Sequence, residues 1–171
     1  MKAYNKNKND EEGNFIKEYL DFVLWHYTVI DGFWFLGVSE AVGQKKAEEI
    51  VEVVWKNAAK LAARDIKRRF SIDKKGLEGL YESLRLFPMA KMVGYEFEQK
   101  PNELILTVPK CSAQMARIRH GLNEFVCKPM HFALFNAFAQ EIDPAIDIKC
   151  VFAPPDPHPK DLFCKWIFHM K

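Results

Sequence analysis

The stretch YEFEQKPNELILTV, from Tyr95 to Val108, decides the fold. Val93, Tyr95 and Phe97 alternate with Glu96 and Glu98, the period of two expected of a half-buried strand. Lys100-Pro101-Asn102 supplies a turn, Leu104–Val108 the return strand and Pro109 its end, so the segment predicts a hairpin. Upstream the period is helical. Phe15, Tyr19, Phe22, His26 and Val29 recur every three or four residues and predict a largely buried helix that stops at a turn, Asp31-Gly32. A short helix then runs from Phe33 to about Gly43, a long amphipathic one from Gln44 to Phe70, and another from about Leu77 to Phe87, ahead of Pro88. Downstream, Ser112–Gly121 reads as a helix, and so does a segment opening at Pro129 with Phe132, Phe135, Ala139 and Ile142 on one stripe. Ile146–Phe152 and Phe163–His169 give two more strands around the proline-rich loop Ala153–Pro159. This order predicts an α+β fold, an N-terminal helical layer packed on a four-stranded antiparallel sheet built as strand-strand-helix-strand-strand. Residues 1–13 read as a disordered polar tail and 14–171 as a single domain, with the helical layer in 14–87 and the sheet, carrying a cysteine cluster, in 89–171.

Composition narrows the function. The chain has 171 residues, 49% apolar and 28% charged, with a net charge of only +2. That balance suits one soluble domain and supplies no field to draw the protein to nucleic acid. The longest apolar runs are broken by His26 and by Asp31-Gly32, short of the roughly 20 residues of a membrane span. Met1–Asn14 lacks the apolar stretch of a secretory signal, so a cytoplasmic location is expected. In a reducing compartment Cys111, Cys127, Cys150 and Cys164 are thiols or metal ligands rather than a disulfide framework.

All four cysteines fall in the C-terminal half. If the last two strands pair with Cys150 opposite Cys164, then Ile148 meets Trp166 and Ile146 meets Phe168, and one face becomes wholly apolar or thiol. The two sulfurs would then lie within about 5 Å. Cys127, just before the Pro129 helix, would join them on the same face. Three thiols at that junction suit a tetrahedral zinc ion, Zn²⁺, with a fourth nitrogen or oxygen ligand. Two other readings stay open. Free cysteines behave as small buried apolar residues, and here they lack CxxC pairs and common zinc-finger spacing, while a facing pair also suits a redox couple.

The tail Asp147-Ile-Lys-Cys150, a loop, and Cys164-Lys-Trp166-Ile-Phe168, with Cys127 upstream, resembles the end of the 4-vinyl-reductase domain, found in sensory domains of phenol- and xylene-responsive regulators. The resemblance implies a zinc ion beside an aromatic-effector pocket, with Cys127, Asp147, Cys150 and Cys164 as its ligands. The loop between Cys150 and Cys164 is longer and richer in proline than in that family. Asp147 also falls on the opposite face of a regular strand, so a bulge must bring it round, or else His131 or His158 replaces it. The whole chain is also similar to small uncharacterised prokaryotic proteins, some distantly similar to 2-aminothiazoline-4-carboxylate hydrolases.

Cys111 opens a helix, where free amides and the helix dipole would favour a thiolate, and Arg117 is placed to anchor a carboxylate. His120 or His131 would be the base of such a site. A plain helix cap beside a solvated arginine is the alternative. His26, Trp34 and Glu40 border an aromatic region suited to lining a ligand pocket. The leading expectation is a small-molecule-binding domain with a structural zinc site and a small organic ligand. The rivals are a cysteine-dependent hydrolase acting on a small amide or thiazoline-type substrate, and a non-catalytic homodimer joined through Phe33-Trp34-Phe35.

Overall fold

A computed structural model describes the backbone of residues 2–171 and the side chains from residue 11 onward. Ten elements follow one another: α1 (Lys2–Val42), α2 (Gln44–Phe70), α3 (Gly76–Leu84), α4 (Pro88–Val93), β1 (Glu96–Lys100), β2 (Glu103–Val108), α5 (Ser112–Arg119), α6 (Lys128–Ile142), β3 (Ile146–Phe152) and β4 (Cys164–Met170). The fold is α+β, as the sequence implies, with one antiparallel sheet in the order β1-β2-β4-β3.

The sheet presents Leu104, Leu106 and Val108 of β2, Trp166 and Phe168 of β4, and Ile146 and Ile148 of β3 to the interior. Alternation puts these residues on one face and Glu103, Lys149, Lys165 and His169 on the other. Helix α6 lies across the apolar face. Its Leu134, Phe135, Phe138 and Ile142 recur at helical spacing and are all buried, and Phe135 meets Trp166 edge-on at a centroid distance of 5.3 Å and Phe168 at 5.7 Å. Each such pair adds about 0.5–1.5 kcal/mol beyond the area it removes from water. Pro129 occupies the first turn of α6, where its missing N–H costs nothing. At the other end Asp143 ends the helix, and its carboxylate accepts hydrogen bonds from the amides of Ala145 (2.9 Å) and Gly76 (3.0 Å), which pins the start of α3. Helix α2 covers the back of α6 through Trp55, Ala59, Ala63 and Ile66, and α1 lies outermost.

Three expectations change. The first two helices are one. Helix α1 continues through Asp31-Gly32 to Val42, because a lone glycine costs a helix only about 1 kcal/mol and apolar helix formers continue on both sides. It also begins at Lys2, inside the stretch read as a polar tail. The break expected near Gly43 is present, and its backbone (φ 84°, ψ 154°) is open to glycine alone. Second, Pro88–Val93 is a short helix capped by Gly94 in the left-handed region (φ 77°), so β1 starts only at Glu96. Third, the register of the last hairpin is shifted by one pair on the same face. Cys150 lies opposite Trp166, Ile148 opposite Phe168 and Ile146 opposite Met170, and a bulge at Val151 then sets Phe152 against Lys165. Cys164 pairs with Val108 of β2. Parity constrains which face a side chain takes but not which of two same-face registers wins.

Candidate functional site

Cys164 is the first residue of the central strand β4 and Cys127 the residue that opens α6, while Cys111 caps α5 three residues after β2 ends. Because β2 and β4 are neighbours, with Val108 opposite Cys164, the topology gathers these three positions at one end of the sheet. All three thiols are buried, and Cys111 and Cys164 lie close enough to Cys127 to disfavour its ionisation, as Cys111 does that of Cys164. Burial is the larger cause. It holds the Cys111 thiol above its ordinary range, raises Cys127 well beyond it and pushes Cys164 up to about 12. Cys150, half-buried and near Cys164, is pushed up to about 11, again by burial first.

Several hydrogen-bond donors surround the sulfurs. The Tyr95 hydroxyl, raised well above its ordinary pKa by burial and by these same three cysteines, has no hydrogen-bond partner among the described residues. The same is true of the indole N–H of Trp166, a fully buried residue. That N–H lies beside the Cys164 thiol and partly offsets its rise, short of hydrogen-bonding geometry. The amides of Ala113 and Gln114 partly offset the rise at Cys111 in the same way, with no side-chain cap formed. Gln114 is the organiser. Buried to 1% exposure, it donates from Nε2 to the Phe125 carbonyl (2.8 Å) and to Cys127 Sγ (3.5 Å), and its Oε1 accepts the Phe125 amide (2.8 Å).

The proline-rich loop closes over this end. The Lys128 amide donates to the Pro154 carbonyl (3.0 Å), Lys128 Nζ pairs with Asp156 (2.7 Å), and Asp156 also holds the Ala153 amide (3.3 Å). His158 donates from Nε2 to the Glu124 carboxylate at 3.0 Å, tying the loop to the segment before α6. Burial works to lower the His158 pKa, but the Pro159 carbonyl and the Glu124 carboxylate outweigh it and the net shift is upward.

The set expected from sequence is therefore redistributed. Cys127 and Cys164 are both buried at this end of the sheet, near enough for Cys164 to disfavour ionisation of Cys127, while Cys150 stands at the margin and Asp147 lies elsewhere. The bulge falls at Val151, beyond Cys150, and leaves Asp147 on the exposed face 3.9 Å from His169. Cys111, assigned on sequence to a separate site, joins the thiol group. Arg117, its supposed partner, instead donates from Nε to the Asn123 carbonyl (2.8 Å) and so holds the loop after α5. His120 caps the far end of α5. His131 packs on Phe135 with Nδ1 3.2 Å from the Cys127 carbonyl, and burial lowers its pKa to about 4. His26, Trp34 and Glu40 are exposed along α1, where His26 stacks on Phe22, and they enclose no common pocket. Trp34 lines a shallow apolar groove with Ile30, Phe33, Gly37, Val38 and Ala41, and another depression lies on the outer face of the sheet beside Lys149, Ile167 and His169. Tyr95 and Gln114 were the residues that sequence reasoning left without a role. A tyrosine in phase with partly buried Phe97, and a glutamine one turn past a helix-opening cysteine, were the available signals.

Among the described residues no three His, Cys, Asp or Glu side chains stand grouped as metal ligands, and no helix is long and apolar enough to cross a membrane. The arrangement defines an α+β domain with a buried thiol cluster at one end of its sheet. The chain belongs to a family of unknown function, DUF6125, which it matches over residues 14–170. No curated protein matches it.

Proposed function

We propose that the protein is a small cytoplasmic binding domain whose thiol cluster, Cys111, Cys127 and Cys164, takes up a soft metal ion such as Zn²⁺, and that the metal fastens β4, α5 and α6 around a site for a small organic ligand. The reading rests on one observation, the placing of unpartnered donors near three buried thiols at one end of the sheet. Neutral thiols are poor acceptors and leave the Tyr95 hydroxyl and the Trp166 N–H idle. A bound cation deprotonates its thiol ligands, and metal-bound thiolates accept hydrogen bonds from neighbouring donors. The start of α5 adds amides favourable to negative charge near Cys111. Binding would turn the three thiols, which stand apart as neutral groups, onto one ion and release their protons. Cys150, beside Cys164, is the nearest further sulfur. The resemblance to the 4-vinyl-reductase domain agrees with zinc near this hairpin, with Cys111 in place of Asp147.

Titration of reduced protein with Co²⁺, followed by competition with Zn²⁺, tests the reading. The expected result is intense sulfur-to-metal charge-transfer absorption saturating at roughly one equivalent. Serine at Cys111, Cys127 or Cys164 should weaken it at least tenfold, while Asp147→Asn leaves it unchanged. Folded, reduced protein that retains less than about a tenth of an equivalent of metal after equilibration with Zn²⁺ would remove the proposal.

A further inference from the structure

Helix α1 is too apolar for the cover it has. It spans 41 residues, about 60 Å, and among the residues whose side chains are described it meets the rest of the fold along a narrow seam that includes Leu24, Thr28, Asp31, Phe35 and Val38. That seam carries Tyr27 against Trp55 (centroids 6.4 Å apart), Phe35 against Phe125 (4.9 Å) and the ion pair Asp21–Lys91 (3.0 Å). Around the remaining circumference Phe15 is 67% exposed, and Phe33 and Trp34 are each 70% exposed. Helix α2 has an uncovered stripe of its own. Ile50, Val54 and Leu61 recur at helical spacing on the side away from its buried Trp55, Ala59 and Ile66, and all three are exposed.

We propose that a second copy of this chain covers both surfaces, in a twofold dimer where α1 of each protomer lies on the α2 stripe of the other. The areas agree with this. The exposed aromatics of α1 between Phe15 and Trp34 alone leave roughly 800 Å² of apolar ring surface open. A standard interface buries about 800 Å² per partner. The chain as a whole exposes 11237 Å², against about 8,700 Å² for a compact protein of its mass. The charges agree as well. From residue 14 to Val42 the helix has Glu18, Asp21, Asp31 and Glu40 against the single base Lys17, whereas α2 is net basic, with eight Lys and Arg against Glu48, Glu49, Glu52 and Asp65, Arg64 being already paired with Glu141 at 2.7 Å. An acidic helix is therefore offered a basic one, and because both belong to every copy the contact is self-complementary, as a twofold interface requires. The same acidity disfavours an anionic membrane, whose surface-bound helices carry Lys and Arg on the polar face.

Sedimentation velocity on the full chain, from about 1 to 100 µM, reads the result. The expected species is twice the 19.9 kDa chain mass, with a dissociation constant below about 1 µM. Trp34→Glu on α1 and Leu61→Glu on α2 should each raise that constant more than tenfold. Both positions are exposed, and an unchanged far-ultraviolet circular dichroism spectrum and urea midpoint verify the fold of each variant. A monomer throughout the range would overturn the proposal. So would co-sedimentation with phosphatidylcholine–phosphatidylserine vesicles in place of self-association, or a dimer that Leu61→Glu leaves intact. Loss of metal binding would touch none of these outcomes.

Discussion

Replacing Gln114 tests how the thiol end of the sheet is held. Gln114→Met keeps most of the side chain's volume but leaves the Phe125 amide and the Phe125 carbonyl without the partners they now have at 2.8 Å. Each backbone group left unpaired in a buried setting costs about 1–3 kcal/mol. Phe125 is partly buried, which places both near the lower end, so the sum is about 2–4 kcal/mol. Gln114→Ala should cost more, since it adds a cavity at a residue only 1% exposed. Gln114→Glu can still accept from the Phe125 amide but sets a second oxygen against the carbonyl, so it should fall no closer to the native protein than methionine does. Urea unfolding followed by far-ultraviolet circular dichroism gives the three differences. A loss under about 1 kcal/mol for the methionine variant would refute the view that these two bonds clamp the loop leading to Cys127.

Two further predictions concern stability. Because the folded His131 pKa is lowered from 6.5 to about 4, the unfolded chain takes up a proton that the folded one refuses. The resulting stability is present above pH 6.5 and lost as the pH falls toward 4. After allowance for the ring's remaining contact with water, the loss is about 1–2 kcal/mol, and His131→Phe should flatten the dependence of the urea midpoint on pH across that window. Gly79→Ala would set a Cβ 2.1 Å from the Lys74 carbonyl oxygen and 3.4 Å from Ile142 Cγ2. It should therefore lower stability by more than about 2 kcal/mol in a thermal melt, where an unhindered helix would gain about 1 kcal/mol from the same change.

The elements that were legible share a strong period and clear punctuation. Ile146–Phe152 alternates cleanly and ends at prolines, so β3 has the bounds its sequence implies. Phe135, Ala139 and Ile142 mark the face of α6, and Pro129 marks its start. The errors arise where local pattern is silent. Asp31-Gly32 has the chemistry of a turn, yet the continuing helix outweighs it, and only the break read at Gly43 interrupts the helix. The hairpin register depended on a bulge at Val151, whose sequence carries no mark of one, and on β2 occupying the other edge of β4. That last fact also explains why Cys111 was separated from its neighbours. Its proximity to Cys164 follows from a pairing between strands remote along the chain, and no spacing rule within either hairpin encodes it. Burial of His131 and Gln114 is likewise set by what folds over them.

Gly43 is the one residue that interrupts helix between Lys2 and Phe70. With an ordinary helical dihedral there, the two helices would merge into a single rod about 100 Å long. The direction in which the acidic, aromatic arm leaves the body is thus fixed by the torsion of a single residue without a side chain. Any substitution there would strain the joint between the two helices, because a side chain does not tolerate that backbone conformation.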